Sequence, residues 1–190
     1  KDYMMIPEHV FSWGPCDTNT KFKDVLTKEI IEDKVYTKFF DVEENDIVVD
    51  LGANIGLWSY SILDKKPKHV YALEPELECY LTTKKNINHQ SNTTVINKAI
   101  AEQSGHKVIK GLFNKDSMVC YSNSHIACGT ISLKDLVKQY NLSKIDFLKV
   151  DCEGGEYEVF NKENYEFITN NVKKIAGEFH FADMKDKNNF

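Results

Sequence analysis

Four short apolar runs in this sequence end in an acid. Ile47-Val48-Val49 leads to Asp50, Val70-Tyr71-Ala72-Leu73 to Glu74, Phe147-Leu148-Lys149-Val150 to Asp151, and Ile175-Ala176-Gly177 to Glu178. Runs of this length read as strands buried on both faces. In an open parallel sheet the carboxyl ends of the strands share one edge, and ligands bind in the crevice there. The four carboxylates are therefore expected around one cleft. Any one of them can instead simply cap the helix that follows, but the repetition points to a site.

The first acid runs into Leu51-Gly52-Ala53-Asn54-Ile55-Gly56 and then an apolar-periodic segment. That is the strand, tight turn and helix order of a nucleotide-binding loop. Gly52 lets the chain turn sharply, and Gly56 removes a side chain where the helix start approaches strand or ligand. Asn54 tolerates left-handed dihedrals and offers an amide to the ligand. Glu74 follows near the roughly 20-residue offset at which an acid accepts hydrogen bonds from a ribose diol. A dinucleotide fingerprint would keep a second glycine where Asn54 stands, so that a pyrophosphate can lie against the backbone. A ligand with ribose and adenine but no pyrophosphate fits better, and S-adenosylmethionine is the expected cofactor. The same residue disfavours a nicotinamide-dependent oxidoreductase.

Methyl transfer from a sulfonium is an in-line displacement, so a protein serves it chiefly by alignment. A hydroxyl acceptor also needs its proton removed. Asp151 is the first candidate base. At period 2, Lys149 lies on its face and can hold it ionised, or the two form a purely structural ion pair. Along residues 175–181 the alternation puts Glu178 and His180 on one face and Gly177, Phe179 and Phe181 on the other. His180 is thus the second candidate, oriented by Glu178, against the alternative of a structural histidine. Asp151, Glu153 and His180 can collect a magnesium ion, but no spacing requires one and no metal is expected. Tyr36, Phe39 and Phe40 are expected to pack rather than touch an acceptor.

The elements that must position these groups alternate. Strands are expected at 47–51, 70–73, 94–96, 147–150 and 175–177, and helices at 55–63, 76–86, 133–140 and 156–160. This is the rhythm of a parallel sheet with crossover helices, an α/β doubly wound architecture with helices on both faces. Residues 1–20 read as an irregular lead-in. Phe22, Val25, Leu26, Ile30 and Ile31 recur at helical spacing and predict an amphipathic helix ending near Asp33. The lead-in and covering helix are assigned to 1–40, and the cofactor-binding domain to 41–190. The span 106–130 is polar, holds Gly111 and Gly129, and is expected as irregular strands or a loop bordering the substrate site, with His125 in reach of substrate.

With 190 residues the chain accommodates one compact domain. No apolar run approaches the roughly 20 residues of a membrane-spanning helix, so no membrane partner is expected. The net charge of −5, with Lys and Glu interspersed, offers no footprint for nucleic acid. Cys16, Cys79, Cys120, Cys128 and Cys152 contain no C-x-x-C pair, which argues against a disulfide framework or local zinc site. A cytoplasmic location follows as the expectation.

The segments 48–59 (V-V-D-L-G-A-N-I-G-L-W-S), Glu74-Pro75, 131–136 (I-S-L-K-D-L) and 145–156 (I-D-F-L-K-V-D-C-E-G-G-E) together resemble the FkbM family of S-adenosylmethionine-dependent methyltransferases. The resemblance spans roughly residues 36–180. It implies a Rossmann-like class I methyltransferase of seven strands, acting by O-methylation on hydroxyls of sugars, polyketides or similar small molecules or glycans. It places Asp50, Gly52, Asn54 and Gly56 around the methionine part, Glu74 on the ribose, and the turn from Asn97 to Ala99 beside the adenine. The family carries further strands after the one ending near Glu178, and the chain stops at Phe190. A shortened sheet or a fragment of a longer protein is therefore expected. Two rivals remain: a nucleic-acid-base methyltransferase, which would carry an Asn- or Asp-Pro-Pro-aromatic turn where Asp151-Cys152-Glu153-Gly154 stands, and a cofactor-binding domain without catalysis.

Overall fold

The computed structural model describes residues 11–16, 19–110 and 125–180. In chain order its elements begin with α1 (Thr20–Leu26), β1 (Ile47–Leu51), α2 (Leu57–Ser61), β2 (His69–Leu73), α3 (Leu77–Ile87), β3 (Thr93–Ile96) and β4 (Ala99–Ile100). They continue with β5 (Gly105–Lys110), β6 (His125–Ile131), α4 (Leu133–Gln139), β7 (Ile145–Val150), α5 (Glu156–Val159), α6 (Tyr165–Asn171) and β8 (Val172–Gly177). The main sheet has the order β3-β2-β1-β7-β8, and every neighbouring pair in it is parallel.

β1 sits at the centre because Val48, Val49 and Leu51 tolerate burial on either face. On one face Val49, Leu73 and Leu148 pack with Leu133 and Leu136 of α4 and Val159 of α5. On the other, Val48, Val70 and Phe147 pack with Trp58 of α2, Ile62 and Tyr36. Helices thus cover both faces, as an α/β Rossmann-like sheet requires. Short polar caps fix where the helices start: Ser132 Oγ accepts from the Asp135 amide, and Glu76 Oε2 from the Cys79 amide. No helix among the described residues is long and apolar enough to cross a membrane.

Two expectations are revised, and one further helix is added to the reading. Residues 105–110 and 125–131 form an antiparallel ladder, from Gly105 opposite Thr130 to Lys110 opposite His125, which joins β4 in a second, three-stranded sheet. β5 is held by pairing rather than burial, so it leaves no apolar run to read. Positions 111–124, with Gly111 among them, lie outside the described residues. The expected helix ending near Asp33 is α-helical only to Leu26 and then widens into π-type turns over Thr27–Glu32. α6, with Tyr165 largely exposed, has too narrow an apolar stripe for periodicity to mark. Among the described residues the main sheet has five strands against the seven that the resemblance implies.

Candidate active site

A cavity of about 570 Å³ opens where β1, β2, β7 and β8 end, walled by Gly52 to Ile55, Glu74 to Glu76, Asp151 to Gly155, and Glu178. Phe22, Leu26, Glu29 and Ile30 close it from the N-terminal helix, and β5 contributes Lys107 to Ile109.

The turn after β1 is shaped by close approach. Gly52 adopts φ +80°, and a Cβ there would stand 1.8 Å from the backbone oxygen of Asp151. The ends of β1 and β7 therefore meet only because this residue has no side chain. Asn54 is also left-handed, at φ +52°. Its amide N–H donates to Glu74 Oε2 at 2.8 Å, and its carbonyl accepts from Thr83 Oγ1 at 2.5 Å. Its side-chain oxygen is buried and has no hydrogen-bond partner among the described residues. The other Glu74 oxygen accepts from the Glu76 amide at 2.9 Å. Burial pushes the Glu74 carboxyl up to about 8, against the opposing pull of those two amides.

The remaining expected cofactor residues divide between wall and framework. Ala99 lines the cavity. Asn97 is not among the lining residues; its side-chain amide donates to the carbonyls of Glu74, at 2.9 Å, and Pro75, at 3.1 Å, and so pins the end of β2. Gly56, left-handed at φ +79°, caps α2 and faces Thr83 rather than the cavity.

Asp50 is fully buried beneath the turn. Its Oδ2 accepts from Ser59 Oγ at 2.6 Å and its Oδ1 from Lys149 Nζ at 2.9 Å. Lys149 also donates to the Gly52 carbonyl at 3.0 Å, so this pair braces the turn from below. Burial alone would depress the Lys149 ammonium, but Asp50 and then Asp151 outweigh it and hold the group above its ordinary value. The expected contact partner of Lys149 is thus replaced: it bonds Asp50, not Asp151. Of the four strand-end acids, Glu74, Asp151 and Glu178 line the cavity and Asp50 supports it.

Asp151 Oδ2 accepts from the Tyr36 hydroxyl at 2.5 Å. Burial, and then the charge of Asp151, keep that phenol protonated. His180 lies beside Asp151 and Glu178, although β8 itself ends at Gly177, and its expected orienting partner is corrected: the ring is held by Glu156 and not by Glu178. Its Nδ1 donates to Glu156 Oε1 at 3.1 Å. Its Nε2 faces Glu153 Oε2 at 3.5 Å, Glu178 Oε2 at 3.7 Å and Asp151 Oδ1 at 4.0 Å. The bond to Glu156, with the nearby carboxylates, raises the imidazole to about 9 despite burial. Glu156 is itself fully buried and accepts from the Cys152 and Gly154 amides, both at 2.9 Å. Phe181 falls outside the described residues.

Sequence reasoning passed over Tyr36, Glu156 and the cavity wall formed by the N-terminal helix. Glu156 stood in view as the last acid of D-x-E-G-x-E. Tyr36 carried no signal, since a buried tyrosine reads as packing until its hydroxyl finds a partner 115 positions away.

Comparison with known proteins places this geometry. Residues 50–189 match the family model described as Methyltransferase FkbM domain. The chain is 25% identical over 188 residues to Methyltransferase sdnD of Sordaria araneosa, covering 77% of this chain and 72% of that protein. It superposes on the crystal structure of Methyltransferase FkbM from Methylobacillus flagellatus KT with a TM-score of 0.50 and 18% identity, covering 72% of this chain. The chain spans about a third of that protein's length, at 34%.

Proposed function

The chain belongs to the Methyltransferase FkbM domain family, and from that premise we propose that it transfers a methyl group from S-adenosylmethionine to a hydroxyl of a small molecule or glycan. One observation carries the choice of donor. The cavity lies between a side-chain-free turn at Gly52 and the buried carboxyl of Glu74, with the Asn54 side-chain oxygen left unpartnered on its wall. A buried polar atom without a partner costs about 1–3 kcal/mol, and a nucleoside with polar edges offers what it lacks. The residues present therefore fit such a donor.

In this reading Gly52, Ala53 and Asn54 hold the amino-acid part, Glu74 the ribose and Ala99 the neighbourhood of the adenine. Asp50, Gly56 and Asn97 keep those walls in place. S-adenosylmethionine, when bound, supplies an electrophilic methyl group on a sulfonium. With one backbone amide on each oxygen, Glu74 retains an acceptor site on each when ionised, enough for a diol, and the two hydroxyl donors of a bound ribose favour that ionised form. Asp151 is one of the carboxylates lining the cavity, at the end of β7, and it is the residue assigned to take the proton from an acceptor hydroxyl. Tyr36 orients Asp151 through its Oδ2, leaving Oδ1 toward His180 and Glu178.

Calorimetry with S-adenosylhomocysteine and with NAD tests this directly. Binding of the first alone is expected, weakened in Glu74→Ala by about 5- to 150-fold, the equivalent of 1–3 kcal/mol. Tight NAD binding would overturn the donor assignment, and unchanged affinity in Glu74→Ala the ribose assignment. Asp151→Asn is expected to keep that affinity and lose turnover by about 10²–10⁴-fold; full turnover in that variant would remove Asp151 from the chemistry.

A further inference from the structure

Beside the donor cavity, one group of side chains has more negative charge than the described residues neutralise. Asp151, Glu153, Glu156 and Glu178 gather around the single imidazole of His180. The nearby ammonium of Lys149 is bonded to Asp50 and the Gly52 carbonyl instead. Burial, and then Glu178 and Asp151, raise the Glu29 carboxyl across the cavity above its ordinary value, which registers the same excess.

The donors converge on one point. One ligand atom each from Asp151, Glu178 and His180 lies within 4.8 Å of the others. From His180 Nε2, the carboxylate oxygens stand at 3.5–4.0 Å. Those spacings are too long for hydrogen bonds of about 2.7–3.2 Å. They suit atoms arranged around a shared cation whose bonds are about 2.0–2.6 Å long.

The other ring nitrogen is fixed as a metal-bound histidine requires. Nδ1 donates to Glu156, a fully buried carboxylate that two backbone amides hold in place. An outer carboxylate of this kind sets the ring so that Nε2 points at the ion. A second, separate observation lies on the same cavity. The indole N–H of Trp58, a residue only 3% exposed that lines the cavity, has no partner among the described residues. As a donor it cannot ligate a cation; it suits an oxygen in the cavity, such as an acceptor or water oxygen that a bound ion would hold.

We propose that Asp151, Glu178 and His180 form a binding site for one divalent cation of the manganese or magnesium class, entered from the cavity. The mixed oxygen and imidazole donors favour manganese over calcium. Glu178 is half exposed and leaves a path from solvent, while the cavity side leaves positions for an acceptor oxygen. The site does not depend on which methyl donor the protein uses; with an ion bound, Asp151 Oδ1 is a ligand rather than a free base, since Oδ2 is held by the Tyr36 hydroxyl.

The test is titration of the protein with Mn2+ alone at mildly alkaline pH. The free-ion electron paramagnetic resonance signal gives stoichiometry, and pulsed resonance detects coupling to nitrogen. One ion per chain with nitrogen coupling is expected. Glu178→Gln, at an exposed position with little risk to folding, should weaken binding about tenfold or more. His180→Ala should abolish the nitrogen coupling, and Glu44→Gln, at a surface acid outside the group, should change nothing. Absence of bound Mn2+, binding without nitrogen coupling, or affinity unmoved by both Glu178→Gln and His180→Ala would overturn the site. A protein that binds S-adenosylhomocysteine but no Mn2+ would keep the proposed function and lose only this inference.

Discussion

Lys149 and Asp50 show how a buried charged pair can brace the turn that walls a site. Each is almost wholly enclosed, and their bond, with the Gly52 carbonyl, sets the height of the turn. Removing one partner leaves a buried charge alone, so Lys149→Met should destabilise the fold by about 3–5 kcal/mol in urea denaturation. Adding Asp50→Leu should recover part of that loss, because the stranded charge goes with it. Glu74 makes a second prediction. Its folded-state value of about 8 lies above the ordinary 4.5, so its protonated form favours the native state. The contribution is complete below about pH 4.5 and is lost as pH rises towards 8. Denaturation across that window should show stability falling with pH, with a flatter slope in Glu74→Gln. An unchanged slope would refute the burial argument. Residue types were enough to find Glu74, Asp151 and Glu178 because each follows an apolar run. They were not enough to assign Asp50 its supporting task, since strand and turn place Asp50 and Glu74 alike in sequence and only the buried Lys149 separates them.

At the level of elements, the site depends on three strand ends being brought within side-chain reach. Gly52→Ala would push a methyl group into the Asp151 carbonyl at a left-handed position. Several kcal/mol of stability and the S-adenosylhomocysteine affinity should both be lost. Gly129→Ala, with its nearest neighbour at 3.5 Å, should change stability by no more than about 0.5 kcal/mol. Equal tolerance of both substitutions in thermal denaturation would contradict the close-approach account. The strands of the main sheet were readable because burial on both faces writes a continuous apolar run, as in Ile47-Val48-Val49. β5 writes no such run, since its side chains are mostly exposed and the ladder to β6 holds it. The π-type turns after α1 were likewise silent, because Ile30 and Ile31 satisfy a helical period whichever ladder the backbone adopts.

Across the whole molecule, the cavity is a joint product of distant segments: the N-terminal helix, the turn after β1, the β5 strand and the acids after β7 and β8 all wall it. A ligand filling it should therefore stabilise the chain as a unit. S-adenosylhomocysteine at a hundred times its Kd is expected to add about 2.7 kcal/mol, or a rise of roughly 5–10 °C in Tm. A crystal structure of the protein with S-adenosylhomocysteine tests most directly whether the cavity holds the methyl donor. The ribose diol is expected on Glu74, the amino-acid end over Gly52 to Asn54, and the sulfur facing Asp151. A nucleoside seated elsewhere, or a cavity closed by its own side chains in the presence of excess ligand, would contradict that placement.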